Sequence, residues 1–262
     1  MTTQTEDAIE IAKIDLVIAN RVLARCGAVD AYGHASVRHP VDPGRFFCSR
    51  SLSPELVERD DIMEFDLDGK PMNGDNRNIY RELVVHWGVY AARPDVNAVV
   101  HGHPHQVLPF TVTDVPLRPV YFGANECGAT IPVWDIRDKF GDTNVLVLTR
   151  EHGEEMARAL GPNRVVLLRG HGMVGAGRSA MQLVRICKSL LTNAQMYLDA
   201  LRLGTPKEMT PGELKLRDET VGNDDTSHAT LRGWEYEARK ADCGDLLAER
   251  TERLKRLTAA KG

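Results

Sequence analysis

The sequence predicts an α/β protein, a sandwich around a mixed, largely antiparallel central sheet. Three observations carry that prediction. Between residues 31 and 75, short β-branched and aromatic runs follow one another across turn residues with no helix between them. Beyond residue 79, helical and extended patterns intermingle. The glycine-rich stretch "GHGMVGAG" (170–177) lacks the spacing and the following acid of a dinucleotide-binding turn, which removes the usual reason to expect a doubly wound parallel sheet.

Residues 6–27 form the first expected helix, because Ile9, Ile11, Ile14, Leu16, Val17, Ile18 and Leu23 make one broad apolar stripe and Gly27 provides a stop. "ASVRHP" (35–40) and "RFFCSRSL" (45–52) read as short strands parted by Asp42, Pro43 and Gly44. "DIMEFDLDGKPMNG" (61–74) alternates around an Asp-Gly pair, the pattern of a hairpin. "IYRELVVHWGVYAARP" (79–94) has helical period and stops at the residue before Pro94, where the proline ring disfavours helical backbone. "VNAVVHGHP" (96–104) is a β-branched strand, with Asp95 and Asn97 shaping the turn into it. "TNVLVLT" (143–149) and "RVVLLRGHG" (164–172) are two more strand candidates flanking a helix at 150–161. A long helix follows at 179–204, capped by Ser179 and closed by Gly204.

This divides the chain into a main domain at 1–204 and a C-terminal tail at 205–262. The tail is charged and weakly patterned, with a partial helix near 244–259, and packs on the body or a neighbouring subunit. Within it Trp234 and Tyr236 form an aromatic pair suited to docking on the body or closing over an adjacent site.

The chain has 262 residues, 42% of them hydrophobic, which suffices for one sizeable core. Its formal charge is −4 with no basic cluster, which argues against nucleic acid as a partner. Its apolar runs fall far short of the roughly 20 residues a membrane helix needs. The acidic, polar N-terminus lacks the pattern of a secretory signal. Five widely spaced cysteines, none in a two-residue pairing, point to free thiols in a reducing cytoplasm. A G-x-S-x-G nucleophile elbow is absent.

The chemistry concentrates in the histidines. In a strand, residues i and i+2 share a face. His101 and His103 therefore point the same way, about 6–7 Å apart along the strand, a separation that suits one metal ion. His171, between Gly170 and Gly172 at the end of another apolar strand, is a candidate third ligand. Glu82 is the carboxylate inside the helical stretch at 79–94, with His86 one turn later on the same face. It can ligate the metal, shuttle a proton, or simply be solvated near the helix start. His39, His105, His152 and His228 need no role beyond packing or solvation.

Taken together, "YGHASVRHP", the Glu82 stretch running into "ARPDVNAVVHGHP", and "LLRGHGMVGAG" resemble the class II aldolase/adducin superfamily over residues 30–200. The resemblance implies a single α/β/α sandwich domain, a homotetramer with active sites between subunits, and a divalent metal on His101, His103 and His171. Glu82 then takes the acid/base position and can also approach the metal. Zn, Mn, Co and Fe all suit such an N/O donor set. Tyr121 falls where related enzymes bring aromatic groups toward a neighbouring site.

The sugar-phosphate members of that family hold phosphate with small donors in GNxS, TxSG and SSE segments. Here His34 replaces the asparagine, Ser49-Arg50-Ser51 fills the second segment, and Tyr80-Arg81 precedes Glu82. Bulky side chains fill the phosphate cradle, and guanidinium forks match a planar carboxylate. The "GHASVRHP…SRSLSPELV" run is more similar to the branch that decarboxylates hydroxylated aromatic or pyridine dicarboxylates. The expected activity is metal-dependent decarboxylation of a small carboxylate substrate. In it His34, Ser49, Arg50 and Arg81 orient carboxylates, and Glu82 donates a proton from a pKa raised by desolvation. An aldolase acting on a hydroxy-acid or sugar-derived substrate is the alternative, and a non-catalytic adducin-like interaction domain a more remote one.

Overall fold

The computed structural model describes residues 3–221 and 224–259. Along the chain run α1 (Thr3–Arg25), β1 (His34–Arg38), β2 (Arg45–Ser49), β3 (Ile62–Asp66), α2 (Val84–Ala92), β4 (Ala98–Gly102) and β5 (Val133–Trp134). They are followed by α3 (Arg137–Phe140), α4 (Arg150–Leu160), β6 (Val165–Leu168), β7 (Gly172–Gly177) and α5 (Ala180–Leu203). The last helices are α6 (Pro211–Val221), α7 (His228–Lys240) and α8 (Gly244–Ala259).

The seven strands form one sheet in the order β3-β2-β1-β4-β7-β6-β5, antiparallel at every step except β5–β6. The expected α/β/α sandwich with a mixed, largely antiparallel sheet is therefore the observed one. Strand alternation assigns side chains to its two faces. Ala98 and Val100 of β4, with Val165 and Leu167 of β6, pack among residues of α1 and α5. Val99, Val166 and Leu168 point the other way, among residues of α2 and α4. Both faces are covered, and β1, β4, β6 and β7 are buried along their whole length.

Buried Arg38 on β1 fixes where α2 ends. Its guanidinium donates to the carbonyls of Tyr90 and Arg93 (3.0 Å each) at the C-terminal end of that helix, and to Val96 O at 2.9 Å. A cation at a helix C-terminus satisfies carbonyls that the helix itself cannot.

Several elements differ from expectation, each for an identifiable reason. The apolar run 143–149 is not a strand: Val145 adopts φ +60°, which breaks any extended ladder. The 61–74 hairpin is reduced to one strand and a single Phe65–Pro71 bridge beyond the turn at Gly69. The helix expected from residue 79 begins at Val84, so Glu82 lies in the preceding turn. Two-residue β5 escapes sequence patterning because its pairing partner, β6, is distant in the chain.

The segment after residue 204 holds three helices where one partial helix was expected. Helix α7 has a narrow apolar stripe, with Thr230, Trp234 and Ala238 buried at four-residue spacing. Trp234 packs into the core beside α1 and α5, whereas Tyr236 is exposed. Helix α8 lies on α1, where Arg250 meets Asp15 at 2.5 Å and Arg253 and Arg256 both reach Asp7, at 2.8 and 2.6 Å. Among the described residues no helix is long and apolar enough to cross a membrane.

Candidate metal centre and active-site cavity

The sheet register brings the histidines together. β1 and β4 pair His34 with His101, side by side on the α2 face. β4 and β7 pair His101 with Val174 and Gly102 with Met173, so the chain entering β7 places His171 beside the end of β4. That approach requires glycine. A Cβ on Gly172 would lie 2.2 Å from the Gly102 carbonyl oxygen and 3.1 Å from the His103 Cα, and one on Gly102 would lie 2.3 Å from Ala28 O. Both contacts are with backbone, which cannot swing aside. Gly172→Ala should therefore spread β4 from β7, costing about 1–3 kcal/mol of stability by overpacking, and should lower bound metal; an unchanged melting temperature and metal content would refute this role.

His101, His103, His171 and Glu82 offer ligand atoms that all lie within 4.8 Å of one another. Glu82 Oε2 is 3.6 Å from both His101 Nε2 and His171 Nε2. The other nitrogen of two of these rings is committed elsewhere. His101 Nδ1 donates to the Met173 carbonyl at 3.0 Å, and His103 Nδ1 to Asp30 Oδ1 at 3.1 Å. A carbonyl and a carboxylate only accept, so each ring carries its hydrogen on Nδ1 and turns the Nε2 lone pair inward.

Those two inward nitrogens face each other at 3.1 Å. Two lone pairs at that separation repel unless a positive charge lies between them. With the Glu82 carboxylate and His171 beside them, the donors fit a divalent cation. Asp30 also accepts from the backbone N–H groups of Tyr32 and Gly33, which fixes it against His103. Asp30→Ala should weaken metal binding by about 10–100-fold, the usual cost of losing such an outer partner, as read by competition with a chelator.

Glu82 corrects one expectation. Burial pushes its carboxyl upward, but His101 and His171 outweigh it and hold the pKa well below the usual carboxylate range. Its other oxygen, Oε1, accepts the Val147 amide at 2.7 Å. The shift is thus opposite to the one desolvation alone would give, and it favours an ionised carboxylate over a poised proton donor.

A cavity of about 690 Å³ opens over this cluster. His34, Ser51 and Arg81 line it together with Tyr80, His103 and His171. Arg81 is exposed at the wall and makes no ion pair among the described residues. The other candidates lie elsewhere. Ser49 is buried behind the cavity wall, its hydroxyl 2.8 Å from that of Tyr80, which itself donates to Leu52 O at 2.5 Å. Arg50 is turned onto Asp61, Nε to Oδ1 at 2.7 Å. Tyr121 lines a separate cavity between α5 and α7, its hydroxyl donating to Ser189 O at 3.5 Å.

Sequence reasoning missed a buried polar row behind His34. His34 Nδ1 lies 2.6 Å from His86 Nε2, His86 Nδ1 lies 2.6 Å from Ser36 Oγ, and Ser36 Oγ lies 2.8 Å from Tyr90 Oη. Burial, reinforced by the neighbouring His101, pushes His86 down to about 3, so its ring is neutral. The signal was present in the alternation: Ser36 is two residues from His34, and His86 and Tyr90 are one helical turn apart.

This fold and this cluster agree with what the chain is similar to. Residues 14–198 match the class II aldolase and adducin N-terminal domain. The chain belongs to that family. A decarboxylase designated tropJ from Talaromyces stipitatus is 29% identical over 244 residues, covering 86% of this chain and 92% of its own. A 3,4-dihydroxyphthalate decarboxylase from Arthrobacter keyseri is 34% identical over 208 residues, covering 74% of this chain and 80% of its own. Among solved structures, an L-fuculose 1-phosphate aldolase from Glaciozyma antarctica superposes with a TM-score of 0.71 at 20% identity, covering 96% of this chain and 93% of its own.

Proposed function

We propose that this protein is a metal-dependent carbon–carbon lyase that decarboxylates a hydroxylated aromatic or pyridine carboxylate. The observation that carries the reading is the cavity itself: an ionised Glu82 and three converging imidazoles on one side, and the unpaired guanidinium of Arg81 on its wall. The decarboxylases among its relatives support the same reaction class. His101, His103, His171 and Glu82 would hold one divalent ion, of zinc, manganese, cobalt or iron. That ion supplies Lewis acidity to the negative charge that develops when the C–C bond opens.

The chain's own residues do the rest. Arg81 offers a planar fork that pairs with a substrate carboxylate. Tyr80, its ring centroid 4.5 Å from that of His34, fills the space beside it and favours a flat ring over a phosphate. Glu82 takes the substrate's hydroxyl proton and delivers a proton to the ring carbon as CO2 departs. One CO2 leaves and one hydrogen takes its place, with solvent restoring the hydroxyl. Leu146 and Leu52 line the same cavity and would give the reacting carbon an apolar wall against bulk water.

The aldolase alternative draws on the likeness to the fuculose phosphate enzyme's fold, but the bulk of Tyr80 and His34 stands against a phosphate cradle. Incubating zinc- and manganese-loaded protein with 3,4-dihydroxyphthalate and with L-fuculose 1-phosphate separates the two. CO2 release without an aldehyde supports decarboxylation, and an aldehyde without CO2 overturns it. Arg81→Ala should raise KM for the carboxylate by about tenfold, in line with a lost charged hydrogen bond, with kcat changed less. Arg50→Ala, by contrast, should leave KM unchanged. A homotetramer with sites at its interfaces, to which Tyr121 of one subunit contributes, completes the proposal.

A further inference from the structure

The row Tyr90–Ser36–His86–His34 has two possible directions of hydrogen donation, and only one leaves no buried hydrogen stranded. If His34 donates from Nδ1 to His86, then His86 donates to Ser36; either Tyr90 donates to Ser36 as well, which strands the Ser36 hydrogen, or Ser36 donates to Tyr90. The Tyr90 hydroxyl hydrogen is then left without an acceptor, since among the described residues Ser36 Oγ is its one side-chain partner and the backbone group of Val99 beside it is a donor. Tyr90 and Ser36 are buried, so water does not answer for it, and an unmet buried hydroxyl is costly.

In the opposite direction every group is met. Tyr90 donates to Ser36, Ser36 to His86 Nδ1, and His86 Nε2–H to His34 Nδ1. Arg38 holds the start of the row in place, its guanidinium 4.7 Å over the Tyr90 ring. At the other end His34 Nδ1 is fully used as an acceptor, so its hydrogen must sit on Nε2. That nitrogen, across the ring, has no partner among the described residues, and His34 lines the cavity.

We infer that Tyr90, Ser36 and His86 are positioning residues that lock His34 as a fixed, neutral Nε2–H donor facing the cavity, so that the site selects a substrate presenting an anionic oxygen there. An asparagine at this place can flip its amide to donate or accept; this histidine cannot. The donor therefore acts as a filter for carboxylate or phenolate oxygen over a hydroxyl that needs an acceptor. The inference rests on the proposed carboxylate substrate only for the identity of that oxygen.

The test uses full-length, zinc-loaded protein labelled with 15N-histidine. Ring-nitrogen correlation spectra distinguish the two tautomers directly. Both His34 and His86 are expected as Nε2–H, and Nδ1–H on either overturns the inference without any substrate being present. Ser36→Asp supplies acceptors only, so Tyr90 and His86 should both donate to it and the row should reverse, leaving His34 Nε2 as an acceptor. In that variant salicylate, a hydroxy-carboxylate probe, should bind at least about tenfold more weakly by calorimetry. Reversed tautomers with unchanged salicylate affinity would overturn the filter. Should Ser36→Asp fail to fold, the wild-type spectrum still decides. A protein that shows Nε2–H but releases no CO2 from any carboxylate defeats the proposed activity and leaves this inference standing.

Discussion

Replacing His103 with alanine is expected to empty the metal centre while leaving the fold standing. Metal content should fall below about 0.1 equivalents, because the proposed four-ligand site loses a ligand and also the anchor that Asp30 provides. Turnover should drop by about 10³-fold or more, the equivalent of losing several kcal/mol of charge stabilisation. The melting temperature should match that of the metal-stripped wild type within about 3 °C, since under 1 kcal/mol of packing is at stake. His103 lies beyond the end of β4, and its ring packs on the imidazoles of His101 and His171, so little apolar contact is lost. Plasma emission on dialysed protein and a thermal melt read both quantities. A full equivalent of metal in the variant would remove His103 from the ligand set.

Glu82→Gln makes the second large change, and it separates holding from reacting. The amide oxygen of glutamine can still accept from the Val147 N–H, so the turn before α2 should keep its shape. The group can no longer accept and return a proton. kcat for CO2 release should fall by about 10²–10⁴-fold, the usual contribution of a positioned acid/base, while bound metal stays above half an equivalent. Undiminished turnover would show that another group carries the proton. Loss of the metal together with turnover would make Glu82 chiefly a ligand.

Most of this architecture is written in local pattern. The period of α1, the break before Pro94 and the Ser179 cap, whose Oγ accepts the Gln182 amide at 3.1 Å, follow from neighbours in sequence. His101 and His103 were legible for the same reason, since a two-residue repeat in a strand fixes a shared face. His171 became legible through its flanking glycines, and close backbone approach is what Gly172 permits.

What the sequence concealed depends on which distant segments meet. The choice between Arg50 and Arg81 turned on a carboxylate eleven residues from Arg50, and Asp61 claims it at 2.7 Å. The charge state of Glu82 depended on three separate elements: burial alone pointed upward, and the imidazoles from β4 and the β7 turn reversed it. The run 143–149 had every local mark of a strand, yet its Val147 amide is spent on Glu82 and not on a neighbouring strand. The row behind His34 spans β1 and α2, about fifty residues apart, and only the fold closes it.

The left-handed backbone at Val145 has a kinetic consequence. A β-branched residue at φ +60° stores about 1–3 kcal/mol, and it sits two positions from the amide that grips Glu82. The acid and this stretch are thus joined: an opening of the stretch would cost the carboxylate the Val147 amide that its Oε1 accepts. Deuterium uptake at the Val147 amide should therefore clock how often the Glu82 carboxylate unlatches, and easing the kink with Val145→Gly, at a residue outside the cavity lining, should slow that clock.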